Sequence, residues 1–297
     1  MRLEFSIIVM IAVGCLVRKL KIVNDEGEKA ITDLVLNVIL PCNVFYSFIS
    51  QQISNLAADC LWILGISAGV QVISFLYTRI AFRVQKDKQR CNLSYAMLSP
   101  NTGFIGSPIA EGVFGPAGLM LACIYLIPQR LVMWSVGLSM YTGVNSKRSA
   151  VRKLLTHPCV IACFLGLLFM LLRIPVPEWI SSSIQMIGKC NTAMAMLVIG
   201  MIISKIQIKS LANKYVILFS IHRLIVIPLL IYLVCYFLPV SRTVFGVSVL
   251  LASMPAGATT SMLAAKYDKD PVFAAELVVF STLCSIPAIM FWMMMVS

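Results

Sequence analysis

The stretch Ser-Pro-Asn-Thr-Gly-Phe-Ile-Gly-Ser-Pro, residues 99–108, lies inside an apolar segment long enough to cross a lipid bilayer. It contains two prolines, two glycines and an asparagine, residue types that interrupt or weaken a helix. A second stretch, Ser-Met-Pro-Ala-Gly-Ala-Thr-Thr-Ser at residues 253–261, interrupts a later apolar segment in the same way. We therefore predict two membrane helices that are each broken near their midpoint.

A break in a membrane helix leaves backbone groups that lipid cannot bind, so protein or water must surround it. We expect Ser107 to cap a new half-helix and Pro108 to take its first position. After Gly257, we expect Thr259 and Thr260 to begin a second half-helix. The positive ends of both half-helices would then meet at the membrane centre and attract an anion. Two ordinary kinks are the alternative, because Gly and Pro are common in membrane helices.

The composition of the whole chain also indicates a membrane protein. Its 297 residues are 60% apolar and 12% charged, with a mean hydropathy of +0.92, whereas soluble proteins are typically about 45–50% apolar. The net charge of +12 comes from short basic clusters between apolar runs, which indicates membrane topology rather than nucleic-acid binding. The ten cysteines form no Cys-x-x-Cys pair, so we predict neither a metal site nor a disulfide.

Ten segments approach or exceed the roughly 20 apolar residues that a membrane span requires. The predicted spans cover residues 2–17, 29–50, 57–80, 92–114, 117–141, 154–173, 179–203, 214–238, 242–266 and 271–296. The first has basic residues after it and no cleavage site, so we interpret it as a span rather than a signal peptide. Most of the 24 Lys and Arg residues fall in loops on one side. The positive-inside rule therefore places both termini on the outer side.

The ten spans divide into two halves, residues 1–143 and 144–297. Five is an odd number, so the second half enters the membrane from the opposite face and is inverted relative to the first. The broken spans 4 and 9 are the fourth of their respective halves. We thus predict an all-α integral membrane protein of ten transmembrane helices, a 5+5 inverted repeat with two crossing broken helices.

The motif at residues 101–108, followed by Phe114-Gly115 and Gly118, resembles the fourth-helix motif of the auxin efflux carrier family. That family includes the plant PIN-FORMED carriers and bacterial malate and malonate permeases. Further matches are Leu40-Pro41, Leu197 to Gly200, Pro228-Leu229-Leu230, Met254 to Gly257 and Ser281-Thr282-Leu283. The resemblance implies an elevator fold like that of NhaA-type antiporters and bile-acid symporters. In it, spans 1, 2, 6 and 7 form a scaffold, and spans 3–5 and 8–10 move with the substrate.

Residues at the two breaks and in span 5 are the candidate substrate-binding site. In the plant carriers, a Gln four residues before a Trp contacts the carboxylate substrate. Here Arg130 stands four residues before Trp134, with Gln129 beside it, which favours a more strongly anionic substrate than auxin. A guanidinium suits bidentate carboxylate binding; the alternative is an ion pair of Arg130 with Glu111 or Glu276. The remaining candidates are Asn101, Thr102, Gly103, Gly106, Ser107, Pro108, Pro255, Gly257, Thr259 and Thr260.

Other polar residues inside the predicted spans allow two interpretations each. Lys189, together with Asn43, would line an anion path, or Lys189 would pair with a carboxylate. His222 and Arg223 would form a helix-interface pair, with Arg223 extending toward the cytosol, or His222 would shuttle a proton. Coupling to H⁺ or to Na⁺ stays open at this point. Candidates for binding Na⁺, which are equally suited to bridging helices, are Asn43, Gln71, Asn101 and Thr259.

These observations predict a secondary transporter that moves a small organic anion, a mono- or dicarboxylate, across the cytoplasmic membrane. The sequence has no His-Glu-x-x-His or Gly-x-Ser-x-Gly motif, so we predict no enzyme and no cofactor. The expected partners are the organic anion and the lipid bilayer, and a homodimer would form through the scaffold helices. A transporter-like ligand sensor and a sodium-coupled symporter of the bile-acid type are the alternatives.

Overall fold

The computed structural model describes residues 2–50, 56–82, 87–142, 155–204 and 213–296. Within these residues every regular element is helical, and the only β-type contact is a single bridge between Pro100 and Ala256. The predicted boundary between the two repeats, at residues 143 and 144, lies outside the described residues. The all-helical architecture agrees with the predicted integral membrane protein.

The helices follow the apolar segments of the sequence closely. They are α1 (Arg2–Lys19), α2 (Asp25–Leu34), α3 (Leu40–Ile49), α4 (Leu56–Ala81), α5 (Asp87–Leu98), α6 (Ser107–Val132), α7 (Leu138–Thr142), α8 (Pro158–Leu171), α9 (Glu178–Lys189), α10 (Asn191–Ser204), α11 (Lys214–Ile221), α12 (Ile227–Tyr236), α13 (Arg242–Ala252), α14 (Thr259–Lys266) and α15 (Pro271–Val296). Short π-helical segments join some of these helices, at Val35–Ile39, Thr102–Gly106, Met133–Gly137 and His222–Val226.

Six helical runs in the described part of the chain are long and apolar enough to cross a membrane. They are Asp25–Ile49, Ala58–Ala81, Thr102–Thr142, Glu178–Ile202, Lys214–Tyr236 and Pro271–Val296. Helices α8 and α13 are apolar but shorter than the roughly 20 residues of a complete span. The count of ten spans therefore stays a prediction, whereas a multi-pass helical protein agrees with these runs.

Three of the π-helical segments end two residues before a proline, namely Pro41, Pro108 and Pro228. In an α-helix a proline lacks the N–H that binds the carbonyl four residues earlier, and its ring clashes with that carbonyl. The wider turn of a π-helix, with hydrogen bonds from residue i+5 to residue i, moves that carbonyl away. These prolines are therefore accommodated inside helices rather than ending them.

A kink at Gly115 separates the part of α6 before it from the part after it. Gly115 has φ 65° and ψ −157°, a conformation that residues with side chains rarely adopt. A β-carbon at the nearby Gly118 would lie 2.3 Å from the carbonyl oxygen of Ala110, so the two parts approach closely. The kink falls between the predicted spans 4 and 5, where the sequence analysis placed the boundary.

Close helix contacts also join predicted spans 1 and 7. Helix α1 packs along α10, where a β-carbon at Gly14 would lie 2.1 Å from the Leu197 carbonyl oxygen. One at Gly200 would lie 2.1 Å from the Ile11 carbonyl oxygen. Small residues at such positions let membrane helices approach to backbone contact. Helix α3 packs on α8 and α9, so the helices of the predicted scaffold spans contact one another.

Candidate functional site

The two helix breaks meet and bind each other through their backbones. The Asn101 N–H donates to the Pro255 carbonyl at 2.7 Å, and the Gly257 N–H donates to the Ser99 carbonyl at 2.9 Å. These bonds flank the antiparallel bridge between Pro100 and Ala256. Each break thus supplies partners for backbone groups that lipid would leave unbound. The predicted crossing of two broken helices is present as a backbone pair.

The first break lies at residues 99–101, one turn earlier than predicted. Pro100 pairs with Ala256 in the bridge, and the two bridging hydrogen bonds come from the flanking residues Asn101 and Gly257. No N–H is needed at residue 100, so a proline is tolerated there. From Thr102 the chain is helical, and it continues through Ser107 and Pro108 without interruption. The Ser107 N–H bonds to the Thr102 carbonyl in the π-turn, and its hydroxyl caps no helix. The prediction that Pro108 begins the half-helix is therefore wrong.

The second break agrees with the sequence analysis. Helix α14 begins at Thr259, and the Thr260 N–H donates to the Gly257 carbonyl at 3.0 Å. A β-carbon at Gly257 would lie 2.6 Å from the Ser99 carbonyl oxygen, so only glycine permits the close backbone approach at the crossing. The Ser99 and Thr259 hydroxyl oxygens lie 3.2 Å apart and add a side-chain contact between the breaks.

Arg223 lies at the C-terminal ends of the half-helices that enter the crossing. Its side chain is 1% exposed, its Nε donates to the Met254 carbonyl at 3.0 Å, and its Nη1 donates to the Met97 carbonyl at 3.5 Å. Met97 lies in the last turn of α5 and Met254 follows α13, so one guanidinium binds carbonyls at both negative helix ends. The prediction that Arg223 extends toward the cytosol is wrong, because these carbonyls hold it inside the protein.

Gln129 fixes the start of the half-helix at Thr102. Its Oε1 accepts a hydrogen bond from the Thr102 hydroxyl at 2.8 Å, and its Nε2 donates to the Pro100 carbonyl at 2.9 Å. Gln129 and Thr102 are 2% and 0% exposed. Both ends of the Gln129 amide are thus engaged within the break, which is the arrangement of a positioning residue.

Arg130 lies on the other side of the same half-helix start. It is 8% exposed, and its Nη2 lies 3.4 Å from the position that a β-carbon on Gly103 would take. Its Nη1 is buried and has no hydrogen-bond partner among the described residues. The ion pairs within those residues are Arg18–Asp25 and Lys88–Asp268. The alternative pairing of Arg130 with Glu111 or Glu276 is therefore not found there.

The predicted binding residues differ in how accessible they are. Asn101, Gly103 and Thr259 are half-buried and remain accessible at the crossing. The others are buried: Thr102, Gly106, Ser107, Pro108, Pro255, Gly257 and Thr260. A β-carbon at Gly106 would lie 2.7 Å from Leu251 Cδ2, so this glycine serves close packing of α13 against the half-helix. Asn101 and Gly103 lie at the same half-helix start as Arg130, and Thr259 lies at the start of α14.

A polar network on the α14 side of the crossing was not predicted. The Tyr141 hydroxyl donates to Asn92 Oδ1 at 2.8 Å and approaches the Thr260 carbonyl at 3.4 Å. The Asn92 Nδ2 donates to the carbonyls of Lys269 and Asp270 beyond the end of α14. Asn92, seven residues before the break, was the available sequence signal, since an Asn within a predicted membrane span requires partners.

The remaining candidates lie on the predicted scaffold spans. Lys189 is the last residue of α9, and its side chain is exposed. Asn43 is 5% exposed and donates to Glu111 Oε2 at 2.7 Å. His222 begins a π-helical segment and packs against Tyr77, with ring centroids 5.3 Å apart. A role of Lys189 in an anion path, and of His222 in proton transfer, stays a prediction.

Comparisons with known proteins agree with the resemblance noted from the motifs. The profile of a family described as "Membrane transport protein" matches residues 3–293. The chain is 26% identical over 295 residues to an uncharacterized transporter of Methanothermobacter thermautotrophicus, covering 97% of this chain and 95% of the relative. It is 22% identical over 277 residues to the uncharacterized transporter YfdV of Escherichia coli, covering 88% and 86%. It is 27% identical over 143 residues to auxin efflux carrier component 8 of Arabidopsis thaliana, covering 46% and 39%.

Proposed function

We propose a substrate class and a mechanism for this chain, which belongs to the membrane transport protein family that includes the auxin efflux carriers. The protein is a membrane transporter, and its relatives are named as transporters rather than as enzymes. In our proposal it is a secondary transporter of a small organic anion, a mono- or dicarboxylate. The substrate binds at the crossing, beside Arg130, Asn101, Gly103 and Thr259.

The observation that carries this proposal is the position of Arg130 beside the half-helix start at Gly103, where its Nη1 has no hydrogen-bond partner among the described residues. Arg223 also has one unpartnered nitrogen among these residues, but it lies at negative helix ends. An arginine near the centre of a membrane span costs at least about 2.5 kcal/mol unless a partner compensates it. The start of the adjacent half-helix also carries a partial positive charge, which repels the guanidinium. An anion between the two groups relieves both costs, and a carboxylate matches the planar fork of the guanidinium.

A second carboxylate of the substrate would contact the start of α14. Thr259 there is half-buried at the first position of the helix, where N–H groups lack partners within the helix. The Thr260 N–H is bound to the Gly257 carbonyl, so the contact falls to Thr259 in our proposal. The backbone pair between residues 99–101 and 255–257 places both half-helix starts at one crossing. A dicarboxylate therefore gains a contact that a monocarboxylate lacks, and we propose dicarboxylates as the preferred substrates.

The backbone pair also supports an elevator mechanism. Residues 99–101 and 255–257 hold each other through two hydrogen bonds, and Arg223 joins the ends of α5 and α13. A substrate bound at such a crossing travels with both broken helices as one unit. In our proposal this unit moves past the scaffold helices α1, α2, α3, α8, α9 and α10.

Uptake into proteoliposomes tests the proposal. Purified protein is reconstituted, and uptake of labelled mono- and dicarboxylates is compared, with binding of the same anions measured by calorimetry. We expect saturable dicarboxylate uptake and a preference over monocarboxylates of matched length. Binding without uptake would instead favour a sensor, and no binding of any carboxylate would overturn the proposal.

Three variants assign the anion site. Arg130→Gln should lower dicarboxylate affinity by about 1.5–3 kcal/mol, the contribution of hydrogen bonds to a charged group. Arg130→Lys keeps the charge without the fork and should lose less. Arg242→Gln removes the same charge from an exposed position at the start of α13 and should bind as the natural protein does.

A further inference from the structure

A cluster of polar side chains surrounds Glu111, apart from the backbone pair at the crossing. Its Oε2 accepts hydrogen bonds from Asn43 Nδ2 at 2.7 Å, Asn191 Nδ2 at 3.3 Å and the Thr192 hydroxyl at 3.2 Å. Glu111 lies on the half-helix before Gly115, Asn43 lies on α3, and Asn191 and Thr192 begin α10. We call these four residues the Glu111 cluster. It joins a broken helix to two helices of the predicted scaffold.

The carboxylate in this cluster has no basic partner among the described residues. Neither ion pair within that part of the chain includes Glu111. All three hydrogen bonds end on the same oxygen, Oε2, which is a strong acceptor. An ionised carboxylate inside a membrane span is costly unless a positive charge compensates it. Glu111 is half-buried, and a small cation beside its carboxylate would supply this compensation.

The neutral oxygen atoms of the cluster indicate which kind of cation fits. Asn191 is fully buried, and its Oδ1 has no hydrogen-bond partner in the part of the chain that the structure describes. The Thr192 hydroxyl lies 3.4 Å from the Pro108 carbonyl oxygen, which adds a backbone oxygen beside it. Rotation of an Asn amide by half a turn exchanges its nitrogen for its oxygen at the same place. The Asn43 and Asn191 amides then present oxygen atoms toward Glu111.

These groups form an oxygen ligand set with a single negative charge. Hard cations prefer carboxylate, amide carbonyl, hydroxyl and backbone carbonyl oxygens. One carboxylate balances a monovalent ion, whereas calcium sites usually combine several carboxylates. A proton, the alternative to a metal cation, would bind one oxygen of the cluster only. The remaining amide, hydroxyl and carbonyl oxygen atoms would then bind nothing.

We propose that the Glu111 cluster is a binding site for a monovalent hard cation, with Na⁺ as the ion it takes. The ion lies between the half-helix that carries Glu111 and the helices α3 and α10. Its ligands come from both predicted bodies of the protein, so ion binding favours the arrangement in which these bodies are in contact. The site is separate from Arg130 and does not depend on the identity of the transported anion.

Thermal unfolding of the purified full-length protein tests this site without any substrate. An ion that binds the folded state raises Tm as its concentration increases. We expect NaCl to raise Tm above the value in choline chloride at equal ionic strength and pH. In Glu111→Gln, which keeps the shape but removes the charge, this Na⁺-dependent rise should disappear. Glu276→Gln, at a carboxylate on α15, should keep it.

A matched pair at Thr192 decides the question if Glu111→Gln does not fold. Thr192→Val keeps the shape and removes the oxygen, and it should weaken the apparent Na⁺ affinity by at least about tenfold, as loss of metal-site groups does. Thr192→Ser keeps the hydroxyl and should bind Na⁺ within about twofold of the natural protein. An equal Na⁺ response in all variants would overturn the proposal. A Tm that depends on pH but not on Na⁺ would assign a proton instead and would also overturn it.

Discussion

Arg130 and Arg223 are both buried arginines beside a helix break, yet their surroundings are opposite. Arg223 donates to carbonyls at the C-terminal ends of two half-helices, whereas Arg130 lies at an N-terminal start. Each guanidinium also keeps one buried nitrogen without a hydrogen-bond partner among the described residues. A break creates one negative and one positive helix end. In this protein the negative ends are bound by the protein itself, and a positive end is left beside a second positive group. That difference separates a structural arginine from a candidate ligand residue.

The largest effect is expected at Arg223. Arg223→Met removes the donors to two buried carbonyls, and each lost hydrogen bond to a charged group costs about 1.5–3 kcal/mol. We expect the variant to unfold at a clearly lower temperature or to fail size-exclusion chromatography in detergent. Arg223→Lys keeps the charge and should recover part of the stability. A stable Arg223→Met protein would show that the helix ends do not require this residue.

Arg130 should respond in the opposite way when stability is measured. Arg130→Gln removes a buried cation that has no ion pair within the described residues, so the free energy of unfolding should change by less than about 1 kcal/mol, below the cost of a lost charged hydrogen bond. The loss appears instead in anion affinity, as described above. Thermal unfolding and calorimetry on the same purified variant provide both values. A large stability loss with unchanged affinity would make Arg130 a structural residue like Arg223.

The next prediction concerns the position of the first break. Pro100→Ala allows a helix to continue through residues 99–101, at the expense of two backbone hydrogen bonds to the second break, worth about 0.5–1.5 kcal/mol each. Uptake should therefore fall strongly in Pro100→Ala. In Pro108→Ala it should fall much less, because the helix already runs through that residue. Equal loss in both variants would contradict a break confined to residues 99–101.

The smallest effect is expected at Ser281 on α15. The Ala256 N–H donates to the Ser281 hydroxyl at 3.1 Å, while in the first break the Gln129 amide binds the Pro100 carbonyl. Ser281→Ala should cost about 0.5–1.5 kcal/mol of stability, the net contribution of one neutral hydrogen bond. Chemical unfolding of the purified variant measures this cost. Ser281→Thr keeps the hydroxyl as the control, and a loss equal to that of Ser281→Ala would argue against the hydrogen bond.

The positions of the two breaks show which structural details could be predicted from the sequence and which could not. The start of the second half-helix at Thr259 follows from Gly257, whose lack of a β-carbon permits the close approach to Ser99. The start of the first half-helix was placed at Ser107 and Pro108, but it lies at Thr102. Two prolines were available there, and either satisfies the local rules for a break. The π-turn before Pro108 accommodates one of them, and the bridge to Ala256 selects the other.

Properties that depend on single segments could be predicted from the amino-acid sequence alone. Apolar content and run length require a membrane, and Pro and Gly inside two runs require interruptions, because backbone groups cannot be left unbound in lipid. Only the tertiary structure decided which groups meet. Ser99 and Gly257 are far apart in the chain, and so are Arg223 and Met97, yet each pair is joined by a hydrogen bond. Such pairs form because each break leaves polar groups that only another part of the fold can bind, and no local pattern identifies that partner.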